Sequence, residues 1–99
     1  MKILAIEKEK PGLTSDDFKP YSTNEAKMVW KLYENGVIRE IYFGKEKHNA
    51  HIIMESENLE TAKQILAELP LVKNNLIEFE FTTLIAYTGF SRLFTKTEE

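Results

Sequence analysis

Apolar positions recur with two different periods along this chain, and the alternation between them predicts the elements. In KILAIEK (2–8), Ile3, Leu4, Ala5 and Ile6 are all apolar, the pattern of a strand covered on both faces. KPGLTSDDFKP (10–20) reads as a loop around Pro11-Gly12, with one helical turn after Thr14 that Pro20 ends. Ser22 stands three residues before Glu25 in a capping-box pattern, and Ala26, Val29, Trp30 and Tyr33 follow at helical spacing. The first helix is therefore predicted from about Thr23 to Asn35, stopped by Gly36. VIREIYF (37–43) and AHIIMES (50–56) are β-branched and aromatic runs joined by the polar GKEKHN (44–49), a β-hairpin. Asn58 can cap a second helix whose stripe is Leu59, Ala62, Ile65, Leu66 and Leu69, ended by Pro70. A loop through LVKNN leads to LIEFEFTTLIAY (76–87), with Ile77, Phe79 and Phe81 on one face and Glu78 and Glu80 on the other. In the tail, Phe90, Leu93 and Phe94 have the spacing of a helical turn before a charged, frayed end.

The order β-α-β-β-α-β is the ferredoxin-like split motif, an α+β fold with a four-stranded antiparallel sheet and both helices on one face. At 99 residues the chain is expected to be one domain, residues 1–99. Two helices cover one face only, yet the first strand and HIIM are apolar on both. Something must cover the second face, and the expected cover is the same face of another copy, a two-fold homodimer or a higher homo-oligomer. The apolar tail, with no place in the two-helix layer, can also reach a neighbour.

Composition narrows the chemistry. The net charge of -3 is scattered, without the basic footprint a nucleic-acid partner would need. There is no cysteine, which removes disulfides, thiolate nucleophiles and zinc–thiolate or iron–sulfur ligation together. The apolar run at the N-terminus is too short for a signal peptide or membrane span, so a cytoplasmic protein without membrane contact is expected. No phosphate-cradling glycine loop or serine-centred elbow is present, and two histidines without ligand-like spacing make no metal site.

Glu40 is the sharpest candidate for chemistry. A carboxylate among apolar strand residues, once desolvated, has the raised pKa of a general base that takes a proton beside a carbonyl. The competing reading is that it faces water or pairs with a lysine. Arg39 can hold a substrate carboxylate through its planar fork, or form a structural ion pair. Adjacent residues of a regular strand point to opposite faces, so only one of the two can line a given pocket. Glu40 is expected to share its face with Ile38 and Tyr42, and Arg39 with Val37, Ile41 and Phe43. His51 is a candidate proton shuttle or a hydrogen-bonded structural histidine, whereas His48 in the hairpin loop is solvated. Glu78 and Glu80 form either a carboxylate pair or the charged guard of an edge strand. Trp30 and Tyr33 belong to the core or to the wall of an apolar pocket. Glu40 buried in a cavity with His51 and Tyr42 would fit catalysis; Glu40 exposed on a rim would fit assembly.

LYENGVIREIY (32–42), AELPLVK (67–73) and LIEFE (76–80) together resemble the muconolactone isomerase-like proteins of the dimeric α+β barrel group, which includes the YciI-like proteins. The likeness covers roughly residues 26 to 85 and lies in a helix end, glycine and arginine-bearing strand, a helix closed by Leu-Pro-Leu, and the opening of the last strand. It implies a small cytosolic oligomer with sheets packed face to face and a pocket for an unsaturated or aromatic acid, lactone or ketone. It also implies proton transfer without metal or organic cofactor. Of the family's strand, Arg39 matches, one position nearer the glycine, and Glu40 stands where histidine follows the arginine. On this reading Glu40 is the base, His51 or Tyr42 its proton partner, and Arg39, Tyr42 and Trp30 contact the substrate. The alternative is a non-catalytic binding or assembly module.

Overall fold

The computed structural model describes residues 1–94; the charged end TKTEE, expected to fray, lies outside the described residues. The strands are β1 (Lys2–Glu9), β2 (Ile38–Phe43), β3 (Ala50–Glu55) and β4 (Ile77–Leu84). The helices are α1 (Ser15–Phe18), α2 (Ser22–Glu34), α3 (Leu59–Ala67) and α4 (Pro70–Lys73), with 3-10 turns at Lys19–Tyr21 and Gly89–Leu93. All strand pairs are antiparallel in the order β2-β3-β1-β4, the ferredoxin-like arrangement.

Register explains where the core sits. Ile3 lies opposite Met54 and Ala5 opposite Ile52 and Phe81, so these residues share one face of the sheet. Ala62, Leu66 and Leu69 close over that face from the α3 side, and Met28, Val29 and Leu32 of α2 pack beside them. Burying each of the large members contributes roughly 1.5–3 kcal/mol. Both long helices therefore lie on one face, as the periodicity required.

Three local expectations change. Ser22 begins α2 but does not form a capping box with Glu25: its hydroxyl donates to the Phe18 carbonyl at 3.0 Å, and Glu25 accepts instead from the backbone N–H of Leu71 at 3.0 Å. Pro20 does not end the helical path. It sits in the first turn of the 3-10 segment that runs straight into α2, where its missing N–H is not needed. LVKNN is not a plain loop either, because Pro70 opens the short helix α4 rather than merely closing α3. The Asn58 cap is present, its Oδ1 accepting from Thr61 N–H at 2.8 Å.

The opposite face carries Leu4, Ile6, Ile53 and Leu84, all only partly buried. Its β4 margin is charged: Glu80 pairs with Lys8 at 3.3 Å and Glu78 with Lys10 at 3.9 Å. Each glutamate faces a lysine rather than the other carboxylate, the arrangement of a guarded edge.

Burial drives the Glu25 carboxyl pKa upward, opposed by the Leu71 hydrogen bond and aided by the Glu7 charge. A raised folded-state pKa means the folded chain binds the proton more tightly than the unfolded one. The associated stability is then complete below the ordinary carboxylate range and falls as pH rises through the raised value. Glu25→Gln keeps an acceptor for Leu71 and removes the charge. We expect it to be more resistant to urea than the parent at pH 7, with the gain vanishing near pH 4; urea midpoints at the two pH values check this.

Candidate functional site

The pairing of β2 with β3 slips between Ile38 and Glu40, leaving Arg39 as the extra residue of a bulge. Ile38, opposite Met54, stays in the core, whereas Glu40 is opposite Ile53 and Tyr42 opposite His51 on the other face. Ile38 therefore does not share a face with Glu40, contrary to strict alternation, because one unpaired residue inverts the pattern. The same bulge removes the constraint that kept Arg39 and Glu40 apart. Both now line one groove, between α2 and the free edge of β2.

That groove has a volume of about 440 Å³, within the range of small-molecule sites. Ala26, Val29, Trp30 and Tyr33 form its helical wall, and Arg39, Glu40, Ile41 and Tyr42 its strand wall. The Trp30 and Tyr33 rings lie 5.8 Å apart and tilted. Neither is core: Trp30 is 58% exposed and Tyr33 48%. Their helical spacing is real but turned toward the strand edge, and Met28, Val29 and Leu32 do the inward packing.

On the strand wall the Tyr42 hydroxyl donates to Glu40 Oε1 at 2.8 Å. The carboxylate both accepts that proton and repels the phenolate, so it drives the Tyr42 pKa upward from the usual phenol value. Tyr42 stays a donor across the physiological range. In an absorbance titration at 295 nm, we expect Tyr42 to ionise at higher pH than it does in Glu40→Gln, with Tyr42→Phe identifying its contribution. Arg39 is oriented by its Nε, which donates to the Gly36 carbonyl at the turn before the strand. Gly36 itself has φ of 80°, the left-handed conformation that ends α2 at little cost for glycine alone.

Trp30, Arg39, Glu40 and Tyr42 are thus brought together, and His51 is not. It is opposite Tyr42 but outside the groove, with its Nδ1 3.1 Å from the Asn49 carbonyl. A carbonyl only accepts, so Nδ1 carries the proton and Nε2 is the free acceptor. Glu40 is exposed on the groove rim in the single chain rather than enclosed. Among residues that sequence reading missed, Glu7 is the counterpart of Glu25: its Oε1 accepts from Ala50 N–H at 2.7 Å. Its inward position in β1 was the only signal. Both carboxylates are occupied as backbone acceptors. A second cleft, of about 570 Å³ between the end of β1 and the hairpin, has lysines and His48 on its lips. The His48 ring stacks on Phe43 at 4.1 Å. Among the described residues no cluster of three or more metal-ligating side chains occurs, and no helix is long and apolar enough to cross a membrane.

No family model matches the sequence, and no curated protein does. Solved structures do. Muconolactone isomerase aligns with a TM-score of 0.74 and 13% identity, covering 100% of this chain and 98% of that one. The fold is that of muconolactone isomerase. The 5-chloro-2-hydroxyhydroquinone dehydrochlorinase of Burkholderia phenoliruptrix AC1100, solved in complex with 2,5-dihydroxybenzoquinone, aligns with a TM-score of 0.68 and 15% identity. That alignment covers 90% of this chain and 98% of the dehydrochlorinase. At such identities the likeness to muconolactone isomerase extends to architecture alone, and side-chain roles rest on the groove's own geometry.

Proposed function

We propose that this chain binds a small oxygenated, unsaturated ring in the α2–β2 groove and moves a proton on it. The observation that carries this is the Tyr42–Glu40 hydrogen bond at 2.8 Å, set against an aromatic wall with Arg39 beside it. Trp30 and Tyr33 offer stacking surface for a planar ring, and Arg39 a fork for an anionic oxygen. Glu40 is the base that removes a proton from carbon beside a carbonyl. The C–H electron pair enters the conjugated system, and Tyr42 turns its hydroxyl from Glu40 to the oxygen that gains charge. Glu40 then returns the proton at the far carbon of the allylic unit, so the double bond shifts with no net loss of atoms or electrons. His51 lies one strand inward and acts through Tyr42, if at all, rather than on the ligand.

The structural neighbours support the ligand class. One is named for isomerising a lactone, and the other was solved with a dihydroxylated quinone. A second copy laid over Leu4, Ile6, Ile53 and Leu84 supplies the missing cover of the open face and makes the assembly a dimer. The rim position of Glu40 favours a second reading, a binding or assembly module without catalysis, because a carboxylate left in water is a weak base toward carbon acids.

Trp30 is the only tryptophan, so its indole N–H is a single, assigned reporter inside the groove. Titration of 2,5-dihydroxybenzoquinone into the ¹⁵N-labelled protein is expected to shift that resonance saturably, together with the Arg39 and Tyr42 amides. Saturable shifts confined to the other cleft, or none at all, would reject the groove as the ligand site.

A further inference from the structure

Beyond β4 the chain becomes an arm with no seat on its own domain. Ile85 is 89% exposed, Tyr87 69%, Phe90 67%, Leu93 76% and Phe94 81%. The arm nevertheless has a defined shape. Ser91 donates to the Thr88 carbonyl through both its N–H, at 3.1 Å, and its hydroxyl, at 2.8 Å. The Tyr87 and Phe90 rings meet edge to face at 4.9 Å. A shaped aromatic surface of this size in water is an interaction site, because a soluble chain gains by covering it.

We infer that the arm of one copy lies along the α2–β2 groove of a second copy and closes it. Both surfaces are uncovered in the single chain: Trp30, Tyr33 and Tyr42 on the groove, and the five arm residues opposite. Aromatic rings meet aromatic walls, whereas the open sheet face is aliphatic and flat and suits another sheet. Since arm and groove occur once in every chain, reciprocal seating closes a two-fold pair and leaves neither surface over. The area is sufficient. Three aromatic side chains at roughly 150–250 Å² each, matched by the groove they cover and repeated in the second copy, reach the roughly 1,200–2,000 Å² of a specific interface.

The consequence for the site rests on the ligand reading above. Glu40 is open to water in the isolated chain, and Tyr87 and Phe90 of the second copy form the wall that is missing. Closing the groove excludes water from the carboxylate and strengthens it as a base.

The chain has no cysteine, so a single engineered thiol takes a nitroxide label cleanly. Ala86→Cys, on the exposed start of the arm, is labelled, left unenriched and jointly refolded with ¹⁵N-labelled parent chain. The Trp30 indole signal of the parent is expected to lose most of its intensity and to recover it when the nitroxide is reduced. In the reverse sample, the labelled variant is itself ¹⁵N-enriched and diluted into excess unlabelled parent; its Trp30 signal is expected to remain. Loss of signal in the diluted sample would place the arm on its own groove and overturn the inference. An undiminished signal in both samples would overturn it too, whatever the state of association. Quinone-induced shifts at Trp30 without intermolecular broadening sink the arm alone, and broadening without quinone shifts sinks the ligand reading alone.

Discussion

Leu66→Ala is expected to lower unfolding free energy by about 2–5 kcal/mol. Leu66 is 1% exposed at the centre of the cluster that includes Ile3, Ile52, Met54 and Leu69. Removing its isobutyl end leaves a void between α3 and the sheet that rigid strands on one side and Leu69 on the other cannot collapse to fill. Against a total of about 5–15 kcal/mol for a domain, this loss consumes a third or more of the margin. Guanidinium unfolding followed by circular dichroism measures it. Lys63, exposed on the same helix, is the internal comparison: Lys63→Ala is expected to stay within about 0.5 kcal/mol of the parent. Equal effects at the two positions would mean that α3 does not close the core in the way described.

Glu40→Gln is expected to slow proton transfer on a small unsaturated lactone by about 10²- to 10⁴-fold. With α-angelica lactone in deuterated buffer, the measured quantities are deuterium entry beside the carbonyl and the shift of the double bond. The amide of Gln retains the shape of the side chain and a partner for Tyr42, but it cannot take a proton at neutral pH. Tyr42→Phe leaves Glu40 able to act as base but removes the donor that stabilises the developing oxyanion, and a smaller loss is expected. Trp30→Ala is expected to weaken binding while leaving the rate at saturation less affected, because a stacking wall serves ground and transition states alike. An unchanged rate in Glu40→Gln would take the base away from this groove and leave binding or assembly as its role.

Much of this architecture was legible from residue spacing. The Leu59, Ala62, Leu66 and Leu69 stripe and the Asn58 cap define α3, and the Ile77, Phe79 and Phe81 alternation defines β4. Both signals are local, and local chemistry decides them. Illegible features depend on partners distant in sequence. Glu25 reads as a capping residue until Leu71, 46 residues away, offers an N–H that burial makes the better donor. Trp30 and Tyr33 have helical spacing, but spacing does not state how far the helix is rotated about its axis. The bulge at Arg39 is the most consequential case. It leaves no mark in VIREIYF, it is fixed by pairing with β3, and it alone lets Arg39 and Glu40 share a groove. The site residues were therefore named for their chemistry, while their juxtaposition followed from a strand irregularity that alternation rules forbid.

A crystal of the protein soaked with 2,5-dihydroxybenzoquinone tests the central claim most directly. The predicted result is ring density stacked on Trp30, with an oxygen in hydrogen-bond reach of Tyr42 and Glu40 and a second oxygen facing Arg39. Density confined to the cleft beside His48, or a groove sealed by packed side chains with no ligand beside Glu40, would contradict the account.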